Sequence, residues 1–264
     1  MWFEECYNGA CLRIKGKKIF EKITKYQKIE VYDTEIFGRM LVLDGTVQLT
    51  ERDEHIYHEV LAHIPLHTHP HPRKVLIIGG GDGGVVRECV KHGCEVNLVE
   101  IDAEVIEISK KYFPTIAKYI EQARIIIMDG FEYLKKCNER YDVIIVDSTD
   151  PVGEAEKLFG ENFYHLVKKC LRDDGIVAMQ LGSFWYHTTH IKKSIKFLRE
   201  IFQHVKVFTA TIPTYPGGYW IFGISSDKEI VRRRDCRIDT KYYSDDIYYS
   251  SFSLPKFVKE EMGI

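Results

Sequence analysis

Five carboxylates in this sequence stand where β-type runs end or where glycine removes side-chain bulk. They are Asp82 in Gly79-Gly80-Gly81-Asp82-Gly83-Gly84, Glu100 closing VNLVE, Asp129 before Gly130, and Asp147 and Asp150 in Asp147-Ser148-Thr149-Asp150-Pro151. A glycine loop after a strand lets the backbone turn sharply and approach a ligand, and an acid about 20 residues later can accept from both ribose hydroxyls. The pair predicts a nucleoside site. Asp82 inside the loop would repel a pyrophosphate and attract an ammonium or sulfonium, which disfavours NAD. Asp129 could accept from an adenine amino group, with Gly130 permitting close approach, although the same two residues fit a helix N-cap or a turn. Asp147 and Asp150 fit a turn too, yet they also lie where ligands bind in open α/β sheets. Five acids on one edge repel one another unless cationic ligands compensate them, so the expected substrates are polycations.

The elements that must position these residues follow from the hydrophobic pattern. Apolar runs at 75–79, 96–100, 123–129, 141–147 and 175–180 alternate with helical stretches, as expected for a parallel sheet covered on both faces. In one such stretch Phe163, Leu166, Val167, Cys170 and Leu171 recur at helical spacing, with Lys168, Lys169 and Arg172 facing away. VKVFTATI and YWIFGIS bracket IPTYPGG and read as a hairpin, followed by a polar tail from Asp227 that ends in an aromatic cluster. Before this region, residues 12 to about 50 carry short β-type runs, including Lys28 to Tyr32 and Met40 to Leu43, punctuated by the turn signals FG and DG. They predict a small antiparallel sheet. The proline-rich HTHPHPRK reads as a linker, so the expected division is a β domain over 1–65 and an α/β domain with a C-terminal extension over 66–264.

Composition narrows the function further. The chain has 264 residues, 37 Lys plus Arg against 39 Asp plus Glu, and 45% hydrophobic residues. This near-neutral balance argues against a dedicated nucleic-acid or polybasic membrane binder. No apolar run approaches the roughly 18 to 20 residues that span a bilayer, and the N-terminus lacks signal-peptide character, so the expected compartment is the cytoplasm. The seven cysteines form no CxxC pair and are expected to be free, mostly buried thiols. His67, His69 and His71 alternate with prolines without a four-ligand set, and no metal site is expected.

Six ordered motifs resemble the polyamine aminopropyltransferases, the spermidine synthase family: VLDGTVQLTERDEHIYHE (42–59), VLIIGGGDGG (75–84), VEID (99–102), MDG (128–130), DSTDPVG (147–153) and IPTYPGG (212–218). The resemblance implies a small N-terminal β domain on a Rossmann-like, methyltransferase-type domain. It implies aminopropyl transfer from decarboxylated S-adenosylmethionine, a co-substrate rather than a resident cofactor, to putrescine, giving spermidine and methylthioadenosine. Gln27, Glu100, Asp129 and Gly130 would bind the thioadenosine part. Asp82 would hold an amine, Tyr57 and His58 would line the polyamine path, Asp147 would be the proton acceptor, and Asp150 would anchor the acceptor amine. Gln180, Tyr215 and Trp2 look like further channel residues. A homodimer or homotetramer is implied. Two departures stand out: Glu154 occupies a position where the family usually has proline, and Tyr248 and Tyr249 replace a common His and Arg, which could alter the entrance. A methyltransferase and a non-catalytic polyamine-binding protein are the rival readings; Asp82 would repel a methyl donor's carboxylate, and the retained Asp147, Asp150 and Tyr57 speak against the second. Agmatine, cadaverine and spermidine remain alternative acceptors.

Overall fold

The structure is a computed structural model that describes residues 1–7, 9–148, 158 and 160–264. Five antiparallel strands come first, in spatial order equal to chain order: β1 (Trp2–Tyr7), β2 (Ala10–Ile23), β3 (Lys28–Thr34), β4 (Gly38–Leu43) and β5 (Thr46–Thr50). The expected DG turn joins β4 to β5, with Asp44 and Gly45 both at positive φ (48° and 82°), the geometry of a tight hairpin. The sheet begins ten residues earlier than the hydrophobic pattern suggests, because β1 is a half-exposed edge strand and its partner β2 is mostly exposed and rich in Lys and Arg.

The register of the first hairpin sets Cys6 opposite Cys11, with Cα atoms 4.1 Å apart, and the two form a disulfide. This corrects the expectation of free thiols for that pair. Antiparallel cross-strand pairing, which a search for CxxC spacing does not test, brings them together. Cys89, Cys94, Cys137, Cys170 and Cys236 are free, and Cys89, Cys137 and Cys170 are buried.

Helix α1 (Glu54–Thr68) follows. It is buried along nearly its whole length, including His63, His67 and Thr68, so HTHP is the end of a core helix rather than a linker. The expected boundary at 65/66 falls inside this helix, whose apolar residues pack on the second sheet.

The second sheet runs β11-β12-β10-β9-β6-β7-β8. Its members are β6 (Lys74–Gly79), β7 (Glu95–Glu100), β8 (Arg124–Ile127), β9 (Tyr141–Asp147), β10 (Leu171–Ser183), β11 (His204–Thr211) and β12 (Tyr219–Ser226). Strands β6 to β10 pair in parallel, and β12 is antiparallel to both its neighbours. The crossover helices are α2 (Gly84–Lys91), α3 (Ala103–Tyr112), α4 (Gly130–Lys136), α5 (Glu161–Cys170) and α6 (Phe184–Ile201), and the tail adds α7 (Asp245–Ser251) and α8 (Lys256–Met262). This is the expected Rossmann-like arrangement. Two apolar cores cover the two sheet faces, one containing Leu61, Val75, Ile77 and Val143, the other Leu76, Ile144, Phe163 and Val167. A third, in which Ile29, Val31, Leu41 and Leu43 meet Val105, Ile108 and Phe113, fixes the small sheet against α3. No helix among the described residues is long and apolar enough to cross a membrane.

Candidate active site

Strand order places the crevice. The chain leaves β6 toward β7 and β8 on one side and returns to β9 and β10 on the other, so β6 and β9 flank a topological switch point, where ligands bind in open α/β sheets. Gly79 pairs in register with Asp147, which sets the glycine loop directly beside that carboxylate. A cavity of about 580 Å³ opens there, roofed by the first sheet through Glu4, Glu5, Gln27, Leu41 and Gln48. That size suits a small-molecule site.

Glycine is needed for contact at two loop positions. A Cβ on Gly79, at φ +82°, would stand 2.1 Å from the Asp147 carbonyl oxygen, and one on Gly84 would stand 2.3 Å from the His58 ring. The loop can thus close over Asp147 and admit His58 to its inner side.

His58 is a buried cation. Its Nδ1 lies 2.6 Å from Glu54 Oε2 and its Nε2 3.2 Å from Asp82 Oδ1. Burial opposes the charge, but Asp82 and Glu54 outweigh it and push the imidazole up to about 10. Glu54 in turn receives the Arg87 guanidinium on both oxygens, at 3.0 and 2.8 Å. Burial opposes its ionisation as well, yet His58 and Arg87 hold it down at about 2. Asp82 is also disfavoured as an anion by burial, but the His58 cation and the Gly84 N–H, which donates to Oδ1 at 2.7 Å, keep its carboxyl below the ordinary range. Asp82 is therefore a fixed anion.

Asp147 faces the same cavity in the opposite state. Burial first, and then the Asp82 charge, push its carboxyl up to about 7, against the His58 cation and the Tyr57 hydrogen bond. The Tyr57 hydroxyl donates to Oδ1 at 2.6 Å, while buried Oδ2 has no hydrogen-bond partner among the described residues. Glu100, buried at the end of β7, is raised to about 7 by burial, although it accepts from the Asp102 N–H at 2.9 Å and the Gly81 N–H at 3.2 Å.

Most expected site residues meet in this cavity: Gln27, Tyr57, His58, Asp82, Glu100, Asp129, Gly130, Asp147, Gln180 and Tyr215 all line it. Asp129 also caps α4, accepting from the Glu132 N–H at 2.9 Å, so the structural and the ligand-facing readings of that residue hold together. Gly130 has a packing reason of its own, since a Cβ there would meet Ile78 Cγ2 at 2.4 Å. Asp150 and Glu154 lie outside the described residues.

Two expectations are corrected. Trp2 is 54% exposed and sits beside Arg13, away from the cavity. It is at the far end of edge strand β1, whose Glu4–Tyr7 end reaches the cavity instead. Tyr248 and Tyr249 do not alter the entrance either. Tyr248 is buried with its hydroxyl 2.8 Å from Thr68 Oγ1, and Tyr249 is exposed over Arg232.

Sequence reasoning missed the groups that hold the site residues in place. Asp102 accepts from the Gln27 side-chain amide at 3.2 Å and so orients it. Asp53 accepts from the Thr214 backbone N–H and hydroxyl at 3.0 and 2.7 Å, which pins the loop carrying Tyr215 to the start of α1. Glu54 was visible only as the i, i+4 partner of His58; Arg87 had no local signal.

Comparison with known proteins resolves what this crevice belongs to. Residues 54–235 match the model of the spermine/spermidine synthase domain, and residues 1–51 match that of the spermidine synthase tetramerisation domain. The chain belongs to the spermine/spermidine synthase family. It is 45% identical to the polyamine aminopropyltransferases of Bacillus cytotoxicus and a Thermoanaerobacter species, each over 98% of both chains. A spermidine synthase crystallised with the transition-state analogue AdoDATO superposes with a TM-score of 0.96 at 35% identity, covering 100% of this chain and 95% of that one. The spermidine synthase of Thermotoga maritima gives 0.94 at 35% identity, covering 100% and 94%. The enzyme is an aminopropyltransferase of the polyamine type.

Proposed function

We propose that this enzyme transfers the aminopropyl group of decarboxylated S-adenosylmethionine to putrescine, giving spermidine and methylthioadenosine, with Asp147 as proton acceptor. The observation that carries the reading is the pair of unlike carboxylates in one cavity, Asp82 held ionised by His58 and Asp147 raised to about 7 with one oxygen free of partners among the described residues.

The chemistry requires both. The acceptor nitrogen attacks the methylene next to the sulfonium and must be neutral; with an amine pKa near 10.4, removing its proton at pH 7 costs about 4.6 kcal/mol. An ordinary carboxylate is too weak a base for that, whereas one near 7 approaches the ideal for proton transfer at neutral pH. The Tyr57 hydroxyl fixes one oxygen of Asp147 and leaves the other to take the proton. The adjacent sulfonium lowers the amine's own pKa and leaves as a neutral thioether, so the displacement calls for no further electrophile and no resident cofactor or metal. All of these residues line the cavity: Glu100 and Asp129 would take the ribose hydroxyls and the adenine amino group, Gln27 would support the nucleoside, and His58, Gln180 and Tyr215 would border the aminopropyl and amine path. Asp150 is retained as the proposed anchor for the acceptor amine. The cavity would hold nitrogen and carbon roughly 3 to 3.5 Å apart in line with sulfur. The match of residues 1–51 supports a homo-oligomer, a homodimer or homotetramer, and we place it in the cytoplasm with its metabolite substrates.

The test is a product assay with the decarboxylated donor and equal concentrations of putrescine, agmatine, cadaverine and spermidine, resolved by chromatography. Spermidine is expected to be the main product; negligible spermidine beside abundant product from another amine overturns the acceptor, and no transfer to any of the four overturns the reading.

A further inference from the structure

Three histidines from two parts of the chain converge outside the set of residues that line the catalytic cavity. His63 and His67 lie one turn apart on α1, and His92 follows α2. One ring nitrogen of each lies within 4.8 Å of the other two. His63 and His67 are buried, and His92 is partly exposed. We propose that His63, His67 and His92 form a binding site for a borderline divalent cation of the Zn²⁺ class.

The hydrogen bonds around the cluster arrange the lone pairs for this. His67 Nδ1 lies 2.9 Å from the His63 carbonyl oxygen, which can only accept, so in the neutral ring this nitrogen carries the proton and Nε2 is a bare donor atom. His63 Nε2 lies 3.0 Å from Glu88 Oε2. That carboxylate is kept ionised by Arg87 Nε at 2.6 Å and Lys91 Nζ at 2.7 Å, so it accepts as well and leaves His63 Nδ1 with its lone pair. His63 Nδ1 in turn faces His92 Nε2 at 3.0 Å. A shift of the His92 proton from Nε2 to Nδ1 therefore presents three nitrogen lone pairs without changing the charge of the protein. Metal-ligating histidines are held in this way, with the non-ligating ring nitrogen donating to a carboxylate or a backbone carbonyl.

Three imidazoles with no carboxylate among the ligands select Zn²⁺, Co²⁺, Ni²⁺ or Cu²⁺ over Mg²⁺ or Ca²⁺, which prefer oxygen. Solvent reaches the cluster at His92, from which side water would supply a fourth ligand. The scaffold is braced: Tyr243 stacks on His67 with ring centroids 5.0 Å apart, and Glu59 of α1 accepts from the Tyr243 backbone N–H at 2.8 Å. The HTHPHP motif was a poor guide because only its first histidine takes part; its partners come from the preceding helical turn and from a second helix.

Co²⁺ is the probe, titrated into the full-length untagged protein. Wild type is expected to take up one equivalent per chain with the intense visible d–d bands of four-coordinate Co²⁺, displaced by one equivalent of Zn²⁺. His92→Gln, at the exposed end of α2, and His67→Gln should lose these bands, and Glu88→Gln should weaken binding about 10- to 100-fold. The bands should persist in Asp82→Asn, because a second group of possible ligands, His58, Asp82 and Asp147, lies in the catalytic cavity. No stoichiometric uptake by wild type, unchanged bands in both histidine variants, or loss of the bands in Asp82→Asn would each overturn the proposal.

Discussion

The two walls of the catalytic cavity carry the same functional group in opposite states. On the glycine-loop wall, Asp82 is the outer member of a buried series of alternating charges, Asp82, His58, Glu54 and Arg87, and each charge is kept by its neighbours. On the β9 wall, Asp147 hydrogen-bonds a neutral phenol and has the Asp82 anion within 4.8 Å, and its pKa is left at about 7. Burial disfavours both anions, so it does not tell them apart; what does is the direct contact with the imidazolium at 3.2 Å, which Asp82 makes and Asp147 does not. Pairs of titratable groups driven apart in this way separate binding from proton transfer, which gives Asp82 the task of holding cations and Asp147 that of accepting a proton.

Exchanging each carboxylate for its amide should give opposite kinetic signatures, and the largest effect belongs to Asp147. Asp147→Asn keeps the shape but abolishes proton acceptance, so turnover should fall by roughly 10²- to 10⁴-fold, while donor binding measured by calorimetry stays close to wild type. Near-normal turnover at neutral pH would remove Asp147 from the role of base and make Asp150 the next candidate.

Asp82→Asn should act on selection instead. The wild type is expected to bind the decarboxylated donor at least about a hundredfold more tightly than S-adenosylmethionine, whose extra carboxylate would enter an acidic cavity. The variant should lose most of that preference. It should also shift the acid limb of the pH–rate profile to lower pH, because the Asp82 charge is one of the causes that raise Asp147. Equal affinity of wild type for the two ligands would sink the charge argument.

How much of this was legible in the sequence follows the same division. Asp82, Glu100, Asp129 and Asp147 could be located because strand ends and a glycine loop confine where a side chain can go. The imidazolium that separates Asp82 from Asp147 could not, since its charge depends on Glu54 and Arg87, and Arg87 reaches them only through packing of α2 against α1. Helix α1 was missed where it enters HTHP because it is buried along nearly its whole length and even its polar residues, Glu59, His63 and His67 among them, face the interior, so no solvent-facing stripe marks it off. Trp2 was misplaced for a simpler reason: resemblance assigns a residue to a strand but does not show which end of that strand reaches the cavity.

The smallest expected effect is at Tyr57 and sharpens the comparison most. Tyr57→Phe removes a hydroxyl that donates to Asp147 while leaving the ring packed against Tyr215 and Phe222. A hydrogen bond to the charged form lowers a carboxyl pKa, so its loss must raise that of Asp147 further above the value of about 7 that burial and Asp82 already impose. A bond to a charged group is worth about 1.5 to 3 kcal/mol, or roughly one to two pKa units, with water entering the gap reducing the shift to the lower end. The base must be ionised to act, so the acid limb of kcat/KM should move up by about one unit, the rate at pH 7 should fall roughly fivefold, and the variant should approach wild type on the alkaline side. This is the reverse of the shift expected for Asp82→Asn, and a limb that stayed in place or moved down would show that Tyr57 does not hold the carboxylate that takes the proton.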